Sequence, residues 1–88
     1  MYFVYMVKCA DGTLYTGITT DLKRRVHEHN HSPKGAKYTR VRRPVSLVYH
    51  EAFPCRSSAS QREYHIKHCM NRRQKLDLIE KDHNNGEE

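Results

Sequence analysis

Two tyrosines and an arginine, spaced ten residues apart, have the types and spacing needed to bind a phosphate group. Tyr5 and Tyr15 fall in two β-rich segments, and Arg25 falls in the helical pattern that follows them. We expect a hairpin with a three-residue turn that pairs Val7 with Tyr15, because Gly12 supplies the left-handed conformation that such a turn requires. Both phenols would then lie on one face as diagonal neighbours, about 7–8 Å apart at the backbone. A two-residue turn would place them on opposite faces.

The residues around these side chains extend the candidate phosphate site. Gly17 pairs opposite Tyr5 in this register, which would leave an opening through which a phosphate approaches the backbone. Arg25 and His29 stand four positions apart, so they share a helical face, where a guanidinium can donate two hydrogen bonds to a phosphate. A structural carboxylate is the alternative partner for Arg25. The alternating histidines around His29 would equally suit a solvated surface.

Glu63 is a carboxylate at a position where the pattern calls for a hydrophobic residue. It falls on a helical stripe shared by three apolar residues, Ala59, Ile66 and Met70. An isolated carboxylate there would cost several kcal/mol, so Glu63 must be paired, protonated or bound to a metal ion. A salt bridge to Arg25 or Arg62 is the structural alternative to a metal site.

The elements that position these side chains follow the order β-β-α-β-α-α. That order indicates an α/β fold of the α+β type, with a three-stranded, mostly antiparallel sheet flanked by helices. Strands are predicted over residues 2–9, 13–19 and 45–53, the first of them apolar on both faces. Helices are predicted from an N-cap cluster at residues 19–21 to about residue 29, from Ser57 or Ser58 to about Met70, and from Arg72 to Lys81. One further helical turn is expected near residues 35–39.

The length and charge of the chain limit the classes of function. Its 88 residues form one predicted domain, residues 1–82, followed by a polar tail, residues 83–88. Residues 1–75 hold 15 of the 16 Lys and Arg but only 5 of the 10 Asp and Glu, a net charge of +10, whereas residues 76–88 carry −4. A body this basic predicts a polyanionic partner. Nucleic acid is favoured over a membrane, because no basic amphipathic helix with a large apolar face is present.

Membrane, secretory and zinc-binding classes are disfavoured. No apolar run approaches the roughly 18–20 residues of a membrane span, and no signal peptide is evident. Three cysteines without paired spacing predict a reduced, cytoplasmic protein. The neighbouring His65, His68 and Cys69 fit no common zinc spacing.

These residues resemble the signature of the GIY-YIG nucleases. The resemblance rests on Phe3-Val4-Tyr5, Tyr15-Thr16-Gly17, Arg25, His29 and Glu63, and it covers residues 2 to about 80. The stretch Gly35-Ala36-Lys37-Tyr38-Thr39 and a strand ending in Phe53-Pro54 are similar to the small stand-alone bacterial branch. Phe3-Val4 and Thr16 replace the Gly-Ile and Ile of the two name-giving triplets, which keeps β-propensity. An asparagine of some branches has no clear counterpart, because Asn71 follows Glu63 too closely.

The resemblance implies a phosphodiesterase that uses one divalent metal ion, Mg²⁺ or Mn²⁺. By that analogy Glu63 is the only protein ligand to the metal, with waters completing its shell. Arg25 would hold the scissile phosphate and offset charge in the transition state. Tyr15 or His29 would deprotonate the attacking water, and Tyr5 would orient it.

The leading hypothesis is therefore a metal-dependent endonuclease that cuts DNA, with structured DNA or RNA as alternatives and a role in repair or recombination. Five basic residues before the third strand are expected to contact phosphates: Lys34, Lys37, Arg40, Arg42 and Arg43. Other members carry a separate DNA-recognition domain, so a protein partner for targeting is a further expectation. The alternatives are a non-catalytic nucleic-acid-binding module that keeps the fold, and an adaptor in a larger repair assembly, which would suit the acidic tail.

Overall fold

A central strand with a neighbour on each side forms the sheet. The structure, a computed structural model, describes residues 1–86, with side chains described up to Lys81. Strands Tyr2–Lys8 (β1), Leu14–Thr19 (β2) and Ser46–Phe53 (β3) form an antiparallel sheet in the order β2-β1-β3. The predicted fold class is confirmed, and β2 lies at an edge of the sheet.

The described residues also form four α-helices and a π-helical turn: Leu22–His31 (α1), Lys37–Arg40 (α2), Arg56–Tyr64 (α3), His65–Cys69 (the π turn) and Arg72–Gly86 (α4). The predicted N-cap of α1 is confirmed, because the Asp21 carboxylate accepts a hydrogen bond from the amide of Arg24 at 3.0 Å. Helix α4 continues past its predicted end at Lys81. It includes the start of the predicted tail, the last two residues of which lie outside the described residues. None of the described helices is long and apolar enough to cross a membrane.

The start and the middle of the predicted third helix differ from expectation. The N-cap of α3 is Cys55, in an extended conformation, so the prediction that Ser57 or Ser58 caps this helix is wrong. The Ser58 hydroxyl lies 3.3 Å from Sγ of Cys55. The π turn then widens the helix before Met70, which a regular 3.6-residue period does not anticipate.

The hairpin register is the one that places both candidate tyrosines on one face. Val7 pairs with Tyr15 and Tyr5 pairs with Gly17. The amide of Cys9 donates to the carbonyl of Thr13 at 2.8 Å, and Gly12 adopts a left-handed φ of 85°. The predicted three-residue turn is confirmed.

Two buried clusters lie on opposite faces of the sheet. On one face Val4 and Met6 pack with Ala59 of α3 and with Ile66 of the π turn. On the other face Tyr5 and Val7 are buried with Cys9 and Val45, and three partly buried residues pack against them: Tyr15, Leu22 and Val26. The tyrosines therefore face α1, whereas the helix that carries Glu63 covers the opposite layer.

Candidate active site

The phenol of Tyr5 extends over Gly17 on the edge strand β2. A Cβ atom at residue 17 would lie 2.6 Å from Oη of Tyr5, so this arrangement requires glycine. The expectation that the space opposite Tyr5 admits a phosphate is wrong, because the Tyr5 side chain itself fills that space. Gly17 instead allows the Tyr5 hydroxyl to reach across the edge strand towards α1.

His29 lies fully buried between Tyr5 and Thr39. Oη of Tyr5 is 2.7 Å from Nε2 of His29, and Oγ1 of Thr39 is 2.8 Å from Nδ1. Thr39 also donates to the carbonyl of Ala36 at 2.9 Å. The amide of Ala36 donates to Nδ1 at a longer 3.4 Å. Nε2 therefore has its hydrogen-bond partner on the sheet, and Nδ1 has its partners on the segment after α1. His29 is not a solvated surface residue; it links the sheet to the segment after α1.

Burial sets the protonation states of this pair. It lowers the pKa of His29 to about 4, and the positive charge of Arg25 acts in the same direction. It also raises the pKa of Tyr5 to about 12, although the guanidinium of Arg25 opposes that rise. At neutral pH the imidazole is therefore uncharged and the phenol retains its proton.

Tyr15 occupies the more open side of the same cluster. Its ring meets the ring of His29 edge-on, with 5.3 Å between centroids, and stacks on Tyr38 at 6.0 Å. Nζ of Lys67, from the π turn, lies 5.6 Å from the centroid of the Tyr15 ring. The contact between Lys67 and Tyr15 joins the helical layer of Glu63 to the layer of the tyrosines.

Arg25 is held in place by two acceptors. Its Nη1 donates to Oε1 of Glu28 at 3.0 Å and to the carbonyl of Lys34 at 2.9 Å. The structural carboxylate that was the alternative partner for Arg25 is thus Glu28, whose pKa this hydrogen bond lowers. The same guanidinium lies close enough to Tyr5 to lower the pKa of the phenol. Arg25 and Tyr5 therefore belong to one site.

Glu63 lies at the border of the apolar stripe. Ala59 and Ile66 are fully buried, whereas the side chain of Glu63 is 26% exposed, so the expected cost of full burial does not arise. Its Oε2 lies 3.7 Å from Nζ of Lys67. The alternative of a salt bridge to Arg25 or Arg62 is wrong, because these arginines bind Glu28 and Glu51 respectively. Glu63 is nevertheless connected to the layer of the tyrosines, because Nζ of its partner Lys67 also lies 5.6 Å from the centroid of the Tyr15 ring.

The five basic residues expected to contact phosphates divide into two groups. Lys34, Lys37 and Arg40 are exposed. Arg42 donates to Asp11 at 3.2 Å and covers the ring of Tyr38, with 3.8 Å from Cζ to the ring centroid. Arg43 is directed inward and donates to three carbonyls at the end of α1, those of Glu28, His29 and Ser32. The expectation of a phosphate contact is wrong for Arg43, because these carbonyls occupy its guanidinium.

Several residues that shape the site escaped the sequence reasoning. Thr39 carries no local signal, since its partner His29 becomes a neighbour only after folding, whereas Glu28 stands three positions after Arg25, a spacing that indicates a helical pair. Lys67 stands four positions after Glu63, a spacing that does indicate a helical pair. Gly35 is a further case: a Cβ atom there would lie 2.7 Å from the carbonyl oxygen of Glu28 and 2.9 Å from Cα of His29. The chain after α1 therefore packs directly on the backbone beside His29.

Comparison with known proteins identifies the family of this chain. The family model described as the GIY-YIG catalytic domain matches residues 1–77. The chain is 54% identical over 79 residues to the UPF0213 protein SERP0126 of Staphylococcus epidermidis, covering 90% of this chain and 94% of that protein. It is 68% identical over 66 residues to the UPF0213 protein DP2720 of Desulfotalea psychrophila, covering 75% of this chain. The match spans 60% of that relative, less than two thirds of its length.

Two solved structures are similar as well. The solution structure of the UPF0213 protein BH0048 from Bacillus halodurans is 48% identical, with a TM-score of 0.58, and the match covers 91% of this chain and 84% of that one. The solution structure of the protein EF2693 from E. faecalis is 38% identical, with a TM-score of 0.62, over 93% and 85% of the two chains. With a family model matched along most of its length, the chain belongs to the GIY-YIG domain family, which is a family of nucleases.

Proposed function

We propose that this protein is a divalent-metal-dependent endonuclease that hydrolyses phosphodiester bonds in DNA. The observation that carries the proposal is the convergence of two phenols, a guanidinium and a carboxylate at the edge strand β2. Tyr5 and Tyr15 contact His29, and Arg25 lies on the same helix face. Lys67 connects Glu63 to the ring of Tyr15, with Nζ 3.7 Å from Oε2 of Glu63 and 5.6 Å from the ring centroid. These side chains can bind a phosphate and transfer protons beside it.

Arg25 is the proposed contact to the scissile phosphate. Glu28 and the carbonyl of Lys34 fix the orientation of its guanidinium before substrate arrives. A fixed donor next to developing negative charge needs little reorganisation during the reaction, which is the main source of electrostatic catalysis. Membership of a nuclease family supports this role.

Tyr15 is the proposed base. Both ring nitrogens of His29 are engaged and its side chain is fully buried, so His29 acts as a positioning residue. Tyr5 retains its proton and is hydrogen-bonded to His29. Tyr15, partly exposed, takes the proton of the attacking water, which requires its phenolate form. The water oxygen bonds to phosphorus, the bond from phosphorus to the leaving oxygen breaks, and that oxygen takes up a proton from a solvent water. Tyr15 then returns its proton to solvent, which completes the cycle.

Glu63 is the proposed metal ligand. In the described part of the chain no three His, Cys, Asp or Glu side chains converge, so a metal ion would rely on this carboxylate together with water and phosphate oxygens. Mg²⁺ is commonly bound by one or two carboxylates with several waters retained, and the partly exposed Glu63 fits that pattern. When bound, the ion supplies Lewis-acid stabilisation of charge on the phosphate. Lys67 must first release Glu63.

Lys34, Lys37 and Arg40 are proposed to contact the DNA backbone beside this centre. All three are exposed on the segment that packs against His29. Contacts of this kind release condensed counterions, so affinity is expected to fall steeply with salt. Backbone contacts alone carry little sequence information, so cleavage should depend more on the shape of the substrate than on its base sequence.

Cleavage of labelled substrates tests the proposal. Purified protein is incubated with single-stranded, duplex, flapped and branched DNA, and with RNA, in Mg²⁺, Mn²⁺ or EDTA. Metal-dependent cleavage by the wild type should be lost in R25A, E63Q and Y15F. Y64F serves as the matched control for Y15F, because Tyr64 is 63% exposed. Cleavage that persists at the wild-type rate in folded E63Q would overturn the assignment.

A non-catalytic nucleic-acid-binding module is the second candidate. One observation favours it: Arg25 and Glu63 are both neutralised within the protein, by Glu28 and Lys67 respectively. That function predicts salt-sensitive DNA binding without cleavage under any metal condition. It also predicts unchanged binding in E63Q, so the same set of variants separates the two candidates.

A further inference from the structure

A pocket of about 340 Å³ opens beside Arg25 at the end of strand β2. It lies where the first turns of α1 and α3 approach this edge of the sheet. Its lining includes three arginines, one carboxylate and two apolar side chains: Arg24, Arg25, Arg56, Glu28, Tyr2 and Ile18. The volume is within the range of small-ligand sites, and it exceeds what a single phosphate needs.

Positive charge dominates this pocket. Glu28 is its only acidic lining residue, and its carboxylate is engaged by Arg25 at 3.0 Å. The contact from Glu28 to Arg24 is longer, 3.9 Å, and the side chain of Arg24 is 59% exposed. Arg56 is exposed and forms no ion pair or side-chain hydrogen bond within the part of the chain that the structure describes. Arg24 and Arg56 can therefore turn their guanidinium groups to an anion without breaking a strong internal contact.

Tyr2 and Ile18 supply the apolar part of the lining. Tyr2 and Ile18 are partly buried and pack against the core cluster under α3, so their positions are fixed by the sheet. An aromatic ring and a branched aliphatic side chain provide a rigid surface for a sugar or a base. An anion site next to an apolar wall matches the two parts of a nucleotide.

We propose that this pocket is a nucleotide subsite that holds the substrate residue next to the cleaved bond. Arg24 and Arg56 bind the neighbouring phosphate, and the sugar and base of that residue lie against Tyr2 and Ile18. The inference rests on the proposed function, because Arg25 links the pocket to the candidate centre. It adds a second phosphate contact, which would fix the direction of the strand through the centre.

Binding of thymidine 3′,5′-bisphosphate in EDTA tests the subsite without any cleavage, since this probe has no internal diester. In a ¹⁵N–¹H NMR titration, the amides of Ile18, Thr20 and Arg56 should shift. R56E should weaken binding about tenfold or more, as expected for the loss of a charged hydrogen bond and its replacement by a repulsive charge. R73E, a charge reversal at an arginine of α4 that is 86% exposed and lies outside the pocket, should stay within twofold of the wild type.

R56Q is a second variant that distinguishes a loss of binding from a loss of folding. Arg56 is exposed at the start of α3, where a negative or neutral side chain suits the helix dipole, so both variants should keep the wild-type melting temperature. Weaker binding by R56E and R56Q with unchanged melting supports the subsite. Equal binding by R56E and the wild type, or shifts confined to other amides, overturns it.

Cleavage kinetics separate this inference from the proposed function. R56E should raise KM for an oligonucleotide about tenfold and leave kcat within twofold, whereas R25A should lower kcat. If DNA is cleaved but R56E leaves both KM and bisphosphate binding unchanged, the subsite is wrong and the endonuclease stands. If the bisphosphate binds through Arg56 but nothing is cleaved, the endonuclease proposal is wrong, and the pocket stands only as a nucleotide-binding site.

Discussion

The Tyr5 phenol and the His29 imidazole form one hydrogen bond across two layers, with 2.7 Å between Oη and Nε2. Tyr5 belongs to the central strand and His29 to α1. The imidazole is fully buried, so this bond ties the helix to the sheet beneath the candidate centre. The strength of this hydrogen bond should govern both the stability of the fold and the positions of the side chains in the candidate centre.

His29 is expected to remain neutral down to about pH 5. Its folded-state pKa of about 4 is lower than the ordinary 6.5, so the unfolded chain binds a proton first as pH falls. The contribution of His29 to the free energy of unfolding should therefore be constant above about pH 7. It should decline between about pH 6.5 and 4, by up to about 3 kcal/mol. Side-chain ¹⁵N NMR reports the state of each ring nitrogen. A doubly protonated His29 ring at pH 6 would contradict the assignment.

Thr39 is expected to act through His29. T39V removes the hydroxyl that is hydrogen-bonded to Nδ1 of a buried imidazole, which should cost about 1–3 kcal/mol. It should also lower kcat more than it raises KM, because Thr39 fixes the ring that Tyr5 and Tyr15 contact. T39S keeps the hydroxyl and should restore both quantities. Urea unfolding and cleavage kinetics measure them, and T39S behaving like T39V would contradict the role.

Gly17 and Gly12 should respond differently to alanine. In G17A the added Cβ lies 2.6 Å from Oη of Tyr5, so the phenol must move and lose its bond to His29. We expect about 1–3 kcal/mol of destabilisation and loss of cleavage. In G12A the Cβ meets nothing within 4 Å, and only the positive φ of 85° is penalised, by about 1–2 kcal/mol. G12A that retains fold should cleave normally; equal loss of cleavage in both variants would argue against the Tyr5 explanation.

Alanine substitutions at Arg43 and Arg40 are expected to affect different properties, stability in the first case and DNA binding in the second. R43A removes donors to three carbonyls at the end of α1 and should lower the free energy of unfolding by about 1–3 kcal/mol. R40A should leave stability within about 0.5 kcal/mol but weaken DNA binding and reduce its salt slope by about one. Thermal unfolding and a salt titration of binding distinguish them. A stable R43A with weakened DNA binding would restore Arg43 as a phosphate contact.

Lys67 is expected to compete with the metal ion for Glu63. Their 3.7 Å pair is partly exposed, and such pairs contribute about 0–1 kcal/mol. K67M should therefore lower the Mg²⁺ concentration that gives half-maximal cleavage by up to about fivefold. R73M removes a comparable exposed pair, with Asp77 on α4, and serves as the control. A higher Mg²⁺ requirement in K67M would show that Lys67 assists the site rather than blocking it.

The hairpin and the sheet could be predicted from the sequence because their signals are local. A turn glycine and a two-residue period fix which side chains share a face, and the structure has Tyr5 and Tyr15 on the expected face. The apolar helical stripe around Glu63 could also be recognised in the sequence. Its degree of burial was not, because that depends on how α3 sits over the sheet edge.

The surroundings of His29 could not be predicted from local pattern. An alternating run of histidines looks solvated, and His27 and His31 are indeed exposed. His29 is buried only because the chain after α1 returns over it, through the close approach of Gly35 and the hydroxyl of Thr39. The same return of the chain explains why Arg43 is directed inward, because its carbonyl partners belong to a segment more than ten positions earlier.

The way the chain folds back over His29 limits how this protein can be re-engineered or can diverge. Exposed positions such as Lys34, Lys37 and Arg40 are open to exchange, so a designer could graft a new binding preference there. The anchoring positions Gly35 and Thr39 must be retained, because a transplanted loop without them would leave an imidazole uncovered. New specificity should therefore arise by changing side chains between fixed anchors rather than by swapping the whole segment.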